Sequence, residues 1–309
     1  MRYFALVVIA SMATSSYASF EMVLVADNGQ NTVATRKIHR FDPVSGVNLG
    51  SFGGFNASIV GTYLNQSTNS LFVTTANGIT EWNYNTGLLK NSFSAPGVSG
   101  IQHSVRPSGD RIAYFDNQPA FVTATFPAFS SLGFHGPIPG ALYRSGIWTS
   151  NTSMIAFESI QSRFVNLSFN AAGTTATTGV ISNVAGATTS WGQMAKNGGT
   201  NQFVMATGTL GGFYSYAPNG TTFTNNPGVL AGNALSAASA HSGFFIGYNT
   251  GAATGRVDYF DGNRNYTRSF GIGQVVSPVS MQTVLAPEPG TMAIFGLGLA
   301  ALKLRRKRS

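Results

Sequence analysis

Lys37-Ile-His-Arg-Phe-Asp-Pro-Val-Ser-Gly46 reads as a short strand that runs into a polar turn, and the same form returns as Gly78-Ile-Thr-Glu-Trp-Asn-Tyr-Asn-Thr-Gly87. Both turns are built from Asp, Asn and Gly, residues that lower the cost of tight backbone angles. Gly255-Arg-Val-Asp-Tyr-Phe-Asp-Gly262 is a third copy, and poorer copies begin near Gln118, Arg163 and Gly211. After the turn comes a closing strand, as in Asn48 to Phe52 and Leu88 to Phe93.

An apolar strand precedes each copy. These strands start at Met22, Leu71, Arg111, Met154, Gln202 and Phe244, at separations of 49, 40, 43, 48 and 42 residues. In front of each lies a smaller, more polar segment: Val60 to Asn65, Gly100 to Val105, Ser145 to Thr149, Ser190 to Ala195 and Ala234 to Ser239. The first unit lacks this piece, and the missing partner stands at the far end as Val275 to Val284. Six units of about 44 residues with four strands each are the pattern of a β-propeller. The displaced last segment would enter the first blade and close the ring, removing the edges that an open array would leave exposed. The expected fold is all-β, a six-bladed propeller closed by a C-terminal inner strand, with an all-β sandwich as the alternative. The Phe-Asp-Pro-x-Ser-Gly turn, Phe41 to Gly46, resembles repeats of the NHL and beta-propeller-repeat type.

The two ends read differently from this body. Met1-Arg2-Tyr3 is followed by an apolar run from Phe4 to Ala10, and Ser16-Tyr17-Ala18 places small residues at a cleavage point. That is a secretion signal, residues 1–18, with signal-peptidase cleavage expected after Ala18. At the other end Pro287-Glu288-Pro289 precedes an apolar stretch from Gly290 to Leu302, and Arg305, Arg306, Lys307 and Arg308 follow. Two prolines two apart cannot lie within a helix or a central strand, so they mark a boundary. The span from Gly290 to Leu304 is about 22 Å as a helix, short of the ~30 Å hydrocarbon core. Snorkelling of Lys303 and local thinning would make it a transmembrane helix with its basic end in the cytoplasm.

In that order, Pro287-Glu288-Pro289, the apolar segment and the Arg305 to Arg308 cluster resemble the PEP-CTERM sorting signal. The resemblance covers residues 287–309 and implies recognition and removal by an exosortase-like membrane enzyme. It implies export through the secretion machinery, transient anchoring in the inner membrane, and a final place on the cell surface or in the extracellular matrix. The propeller-like body is then residues 19–286.

The formal charge of +8 belongs mostly to the ends. Residues 19–286 carry twelve Lys/Arg against nine Asp/Glu with no basic stripe, which argues against nucleic acid as a partner. There is no cysteine, hence no disulfide and no thiolate metal site.

No catalytic constellation emerges. The six inner segments contain no Asp or Glu, whereas a glycosidase needs two carboxylates and a calcium-dependent hydrolase several oxygen ligands. They hold His103, Trp148 and Trp191, with Arg106, Arg144, Lys196 and His241 near their ends. His103 and His241 without a third ligand are a poor metal site, so no metal or other cofactor is expected. Asp27-Asn-Gly-Gln-Asn31 and Asp261-Gly-Asn-Arg-Asn265 read as turns rather than calcium loops, since each lacks a closing Glu. Trp82, Tyr84, Tyr214, Tyr216, Tyr259 and Phe260 lie on third strands beside turns, where aromatics either stack on sugar rings or pack blade against blade. The expectation is a non-enzymatic surface or matrix protein associated with exopolysaccharide or biofilm. The alternatives are a carbohydrate-binding, lectin-like propeller and, behind it, a propeller hydrolase.

Overall fold

The computed structural model describes residues 21–93, 102–115, 118–130, 133–183, 192–208, 212–217, 223–226 and 232–285. They form six four-stranded antiparallel sheets and one 3-10 turn, Gln66–Thr68. The first blade holds β1 (Glu21–Asp27), β2 (Lys37–Phe41) and β3 (Asn48–Phe52); the second holds β4 (Ile59–Asn65), β5 (Ser70–Thr75), β6 (Gly78–Asn83) and β7 (Leu89–Phe93). The third is β8 (Gln102–Val105), β9 (Arg111–Phe115), β10 (Phe121–Thr125) and β11 (Gly133–His135). The fourth is β12 (Tyr143–Ser150), β13 (Ser153–Glu158), β14 (Arg163–Phe169) and β15 (Ala176–Asn183). β16 (Met194–Lys196), β17 (Phe203–Ala206), β18 (Phe213–Tyr216) and β19 (Phe223–Asn226) make the fifth. β20 (Asn233–Ser239), β21 (Gly243–Gly251), β22 (Thr254–Asp261) and β23 (Tyr266–Phe270) make the sixth. The last strand, β24 (Pro278–Leu285), pairs antiparallel with β1 and completes blade 1 in the order β24-β1-β2-β3. This is a six-bladed propeller closed by its C-terminal strand.

Alternation explains why the second strands are unbroken apolar runs. Successive side chains of a strand point to opposite faces, and both faces of a blade are covered by neighbours. Along β1, Met22, Leu24 and Ala26 pack with Leu71 and Val73 of blade 2, while Val23 and Val25 pack with Phe245 and Val257 of blade 6. One apolar cluster fills each of the six gaps between blades. Each fully buried Val, Leu or Phe in them contributes about 1.5–3 kcal/mol.

The recurring turn is one structure used several times. Asp42 N–H donates to the Val47 carbonyl at 2.9 Å and Gly46 N–H to the Asp42 carbonyl at 2.8 Å. Asn83, Leu88 and Gly87 repeat both bonds at 2.8 and 2.7 Å. Asp42 and Asn83 each accept backbone N–H groups of their own turn, and Gly46 and Gly87 sit at φ of 72° and 75°. Blade 3 makes the same turn from Thr125 to Ser130, with Phe129 at φ 52° where the others have glycine. That copy, the poorer one near Gln118, is faint in the sequence because its residue types differ while its bonds do not.

Two inner strands start three or four residues from where they were expected: β16 at Met194 against Ser190, which lies outside the described residues, and β24 at Pro278 against Val275. In the second case Val276 and Ser277 donate their N–H groups to the Asp27 carboxylate instead of to a strand partner.

Candidate functional site

The innermost strand of each blade pairs on one side only, so its other edge faces the axis. The edges of β4, β8, β12, β16, β20 and β24 surround a cavity of about 290 Å³, lined by Tyr63, His103, Lys196, Ser239, Gln282 and Thr283 among others. These six strands carry no Asp or Glu. Hydrogen bonds stitch the ring around the cavity. Gln282 Nε2 donates to the Thr62 carbonyl at 2.8 Å, and the Thr62 and Ser280 hydroxyls lie 2.8 Å apart. Gln193 of blade 5 reaches blade 1: its Nε2 donates to the Met281 carbonyl at 3.2 Å, and its Oε1 accepts Met281 N–H at 2.9 Å.

His103 is 8% exposed, edge-on to Tyr114 at 4.9 Å between ring centroids. A methyl group on Gly61 would lie 2.3 Å from His103 Nδ1, so only glycine fits there. Burial pushes the imidazole down to about 3, and Nε2 has no hydrogen-bond partner among the described residues. The ring is therefore neutral at ordinary pH. His241 lies in the exposed turn after β20 and does not line the cavity, so the two histidines are not brought together. Among the described residues no three His, Cys, Asp or Glu side chains are gathered.

The buried acids are tied into the architecture. Asp27, at the end of β1, accepts N–H groups from Gly29, Val276 and Ser277, with His39 Nε2 at 3.6 Å. Burial raises the carboxyl, and the bonds from His39, Gly29, Ser277 and Val276 outweigh it and hold the group below its ordinary range. Glu158, at the end of β13, does the same work. It accepts N–H groups from Ile160, Gln161 and Leu142 and lies 3.1 Å from the Arg163 guanidinium. Asp258 is held by Arg256 and Ser269, and Glu81 by Ser70, Asn91 and Lys90. Arg106 pairs with Asp110 and donates to the Ala171 and Asn151 carbonyls of blade 4. Arg144 is half-buried in β12, and Lys196 is exposed at the end of β16.

The aromatic candidates separate into two groups. Tyr84, Tyr214 and Tyr216 are at most 3% exposed, so of the two roles open to them they take packing, and the glycan-stacking role falls for these three. Tyr216 lies on Phe164 at 4.4 Å, and Tyr84 hydroxyl donates to Asn69 Oδ1 at 3.0 Å. A ring enclosed on both faces has no surface for a sugar. Phe260 is likewise buried. Tyr259 is half-buried beneath Arg268, whose guanidinium sits 4.5 Å above its ring. Trp82 alone opens on a groove, of about 320 Å³, with Phe55, Leu89 and Phe93 as apolar wall and Asn56, Asn77 and Ser92 as polar groups. Gly53 and Gly54, at φ of 104° and 134°, fold Phe55 back to an edge contact with Trp82 at 5.5 Å. Trp82 Nε1 donates to Thr80 Oγ1 at 2.8 Å.

Asp261 accepts the Asn265 backbone and side-chain N–H groups at 2.8 and 3.1 Å, and Arg264 stands at φ 74°. The loop closes on its own amides, as a turn does. Trp191, Ala18, Pro287, Glu288, Pro289, Arg305, Arg306, Lys307 and Arg308 lie outside the described residues, as does the segment from Gly290 to Leu304. Among the described residues no helix is long and apolar enough to cross a membrane.

The ring closes at Leu285, and the decisive match begins at that residue. Residues 285–308 match the PEP-CTERM protein-sorting motif. The PEP-CTERM motif implies export, membrane-anchored sorting and processing by exosortase-like machinery. A search of curated proteins finds no match to the chain. Among solved structures, a chain of a nidogen/laminin complex is similar over 85% of this chain and 98% of its own, at TM-score 0.66 and 10% identity. A protein of unknown function from Bacteroides caccae is similar over 86% and 99%, at TM-score 0.62 and 10% identity. The WD40 repeats of RRP9 align over 74% and 84%, at TM-score 0.52 and 10% identity. At such identities the likeness is one of fold alone.

Three features escaped sequence reading. Gln193 crosses between non-adjacent blades from a segment read as plain strand. The Asp27 clasp looked like a turn residue; the available signal was a carboxylate ending an apolar strand, repeated at Glu158. The Trp82 groove depends on Phe55, which comes from a loop between blades.

Proposed function

We propose that this chain is an exported, exosortase-sorted protein of the cell surface or extracellular matrix, whose propeller is a non-enzymatic module associated with exopolysaccharide. The observation that carries the reading is the PEP-CTERM motif at residues 285–308, which begins at the last residue of the closing strand. The body supports the non-enzymatic part. Its carboxylates Asp27, Glu158, Asp258 and Glu81 are engaged in turns and inter-strand bonds, and the cavity-lining side chains include no carboxylate among the described residues. The secretion machinery, a signal peptidase and an exosortase-like enzyme are the partners this reading requires, and nucleic acid is not among them.

Sorting is tested by replacing Pro287, Glu288 and Pro289 together with alanine in the native host. The variant should remain uncut in the membrane fraction while the natural chain is trimmed and leaves it. Equal trimming of both would overturn the reading.

The groove over Trp82 favours a second reading, a lectin-like propeller. Its aromatic floor suits the apolar face of a sugar ring and its amide and hydroxyl rim suits ring hydroxyls, with no charged side chain in the lining. Binding of the host's own exopolysaccharide to the body, abolished by Trp82→Ala with the fold intact, would establish it. Binding unaffected by that change would remove it.

A further inference from the structure

The structure fixes which end of the propeller the tail leaves from. Leu285 pairs with Glu21, so the tail departs beside the start of β1. In an antiparallel meander the first-to-second turn and the third-to-fourth turn share one end, and the second-to-third turn lies at the other. The tail end therefore also carries the turns Asp42 to Val47, Asn83 to Leu88 and Arg106 to Asp110. Bonds between these turns confirm the grouping: Arg106 donates to Asn151 and Ala171, and Asn197 donates to the Gly262 carbonyl at 3.0 Å.

The exposed apolar side chains are distributed unevenly. Of the ten exposed large apolar side chains among the described residues, six, Val44, Val47, Leu49, Leu88, Leu89 and Tyr266, sit in or beside the third-to-fourth turns of blade 1 and its two neighbours, blades 2 and 6, while Val33, Ile160 and Ile272 lie toward the other end and Phe134 in β11. Val44 and Leu88 are 67% and 68% exposed, at the tips of two successive copies of the same turn. Blade 1 is also the blade that the tail leaves. Four residues, 286 to 289, separate Leu285 from the apolar segment that starts at Gly290, and fully extended they reach about 14 Å.

We infer that, while the tail is uncut, this turn face rests on the lipid bilayer with Val44, Val47 and Leu88 among the headgroups. The inference rests on the reading above that the tail enters the membrane. The short tether selects lipid as the occupant. A gap of about 14 Å is too narrow for a folded partner, since a small domain is about 30 Å across. Ionic groups on this face are of both signs, Asp42, Asp110 and Asp261 with Lys196, Arg106, Arg264, Arg40, Lys90 and Arg268, and the contact inferred is the apolar one at Val44, Val47 and Leu88, to which the excess of bases adds on anionic lipid. Cutting the tail releases the face along with the body.

The chain has no cysteine, so single thiols can be placed at will. The tail-bearing chain is reconstituted in phosphatidylcholine vesicles with a fluorophore on Val44→Cys, Leu88→Cys, Val33→Cys or Ile160→Cys, the last two lying in second-to-third turns at the opposite end. Lipid carrying a nitroxide quencher in its headgroup region should lower the emission of the Val44 and Leu88 probes, since a group at the interface sits within the headgroup and acyl boundary, and leave the Val33 and Ile160 probes unchanged. Equal quenching at both ends, or quenching at Val33 and Ile160 alone, overturns the inference. Quenching at Val44 and Leu88 that requires added processing enzyme would also overturn it, by making a protein the occupant. Flotation of the vesicles is measured alongside: a chain that does not float with lipid defeats the membrane reading itself, and one that floats without face-selective quenching defeats only this inference.

Discussion

The Asp27 carboxylate accepts the backbone N–H of Ser277 at 2.6 Å across a sequence separation of 250 residues. One oxygen of the same group also takes Gly29 N–H, and the other takes Val276 N–H. A single side chain thus orders the turn leaving β1 and the chain entering β24, the two segments that must meet to close the ring.

Asp27→Asn should lower stability by about 2 kcal/mol, the loss expected when charge-assisted bonds to buried amides weaken. The check is urea unfolding, with a lower midpoint at unchanged slope. Asp42→Asn in the exposed turn serves as comparison and should cost about 1 kcal/mol or less.

Acid should act in two windows. Burial lowers His103 to about 3, and burial together with Arg111 lowers His135 to about 4. Below pH ~6.5 the unfolded chain protonates these rings while the folded chain does not, so stability falls with falling pH, by at most about 1.4 kcal/mol per pH unit for each ring. Asp27 acts later. Its folded carboxyl titrates below its ordinary value, so its contribution is intact above pH ~4 and is lost beneath that. His103→Gln should flatten the stability profile between pH 6.5 and 4, and Asp27→Asn should flatten only the limb below. Profiles parallel to the natural chain's across both windows would contradict both assignments.

Two glycines with nearly the same backbone should respond differently to alanine. Gly87 and Gly109 stand at φ of 75° and 72°. A methyl group on Gly87 would lie 2.7 Å from Phe52 Cβ, whereas on Gly109 nothing lies within 4 Å. Gly109→Ala should cost about 1 kcal/mol for the left-handed backbone alone. Gly87→Ala should cost about 1–3 kcal/mol more, because Phe52 is fixed in the gap between blades 1 and 2. Thermal melts of the two variants decide the matter, and equal losses would deny the clash.

Most of this architecture is legible because a blade imposes a simple rule on its sequence. Strands such as Met22 to Asp27 are buried on both faces, and the turn at Asp42 to Gly46 needs Asp and Gly, so both leave clear marks. The displaced inner strand was legible too, since an unmatched segment at one end must meet the gap at the other. What showed faintly or not at all was set by bonds rather than residue types. The blade 3 turn keeps its two hydrogen bonds with Thr125 and Phe129 in place of Asp and Gly. The fate of the aromatics was equally hidden. Tyr216 and Trp82 occupy third strands alike, yet one is sealed against Phe164 and the other borders a groove opened by the loop that carries Phe55. The tail followed a different rule, because the PEP-CTERM pattern is linear and needs no fold to be read.

Intact mass of the protein recovered from its native host is the most direct measurement of all. Sorting requires a mature chain that begins near residue 19 and has lost everything from about Pro289 onward. A recovered mass that still includes Arg305 to Arg308 would make the tail a plain anchor and contradict the proposal.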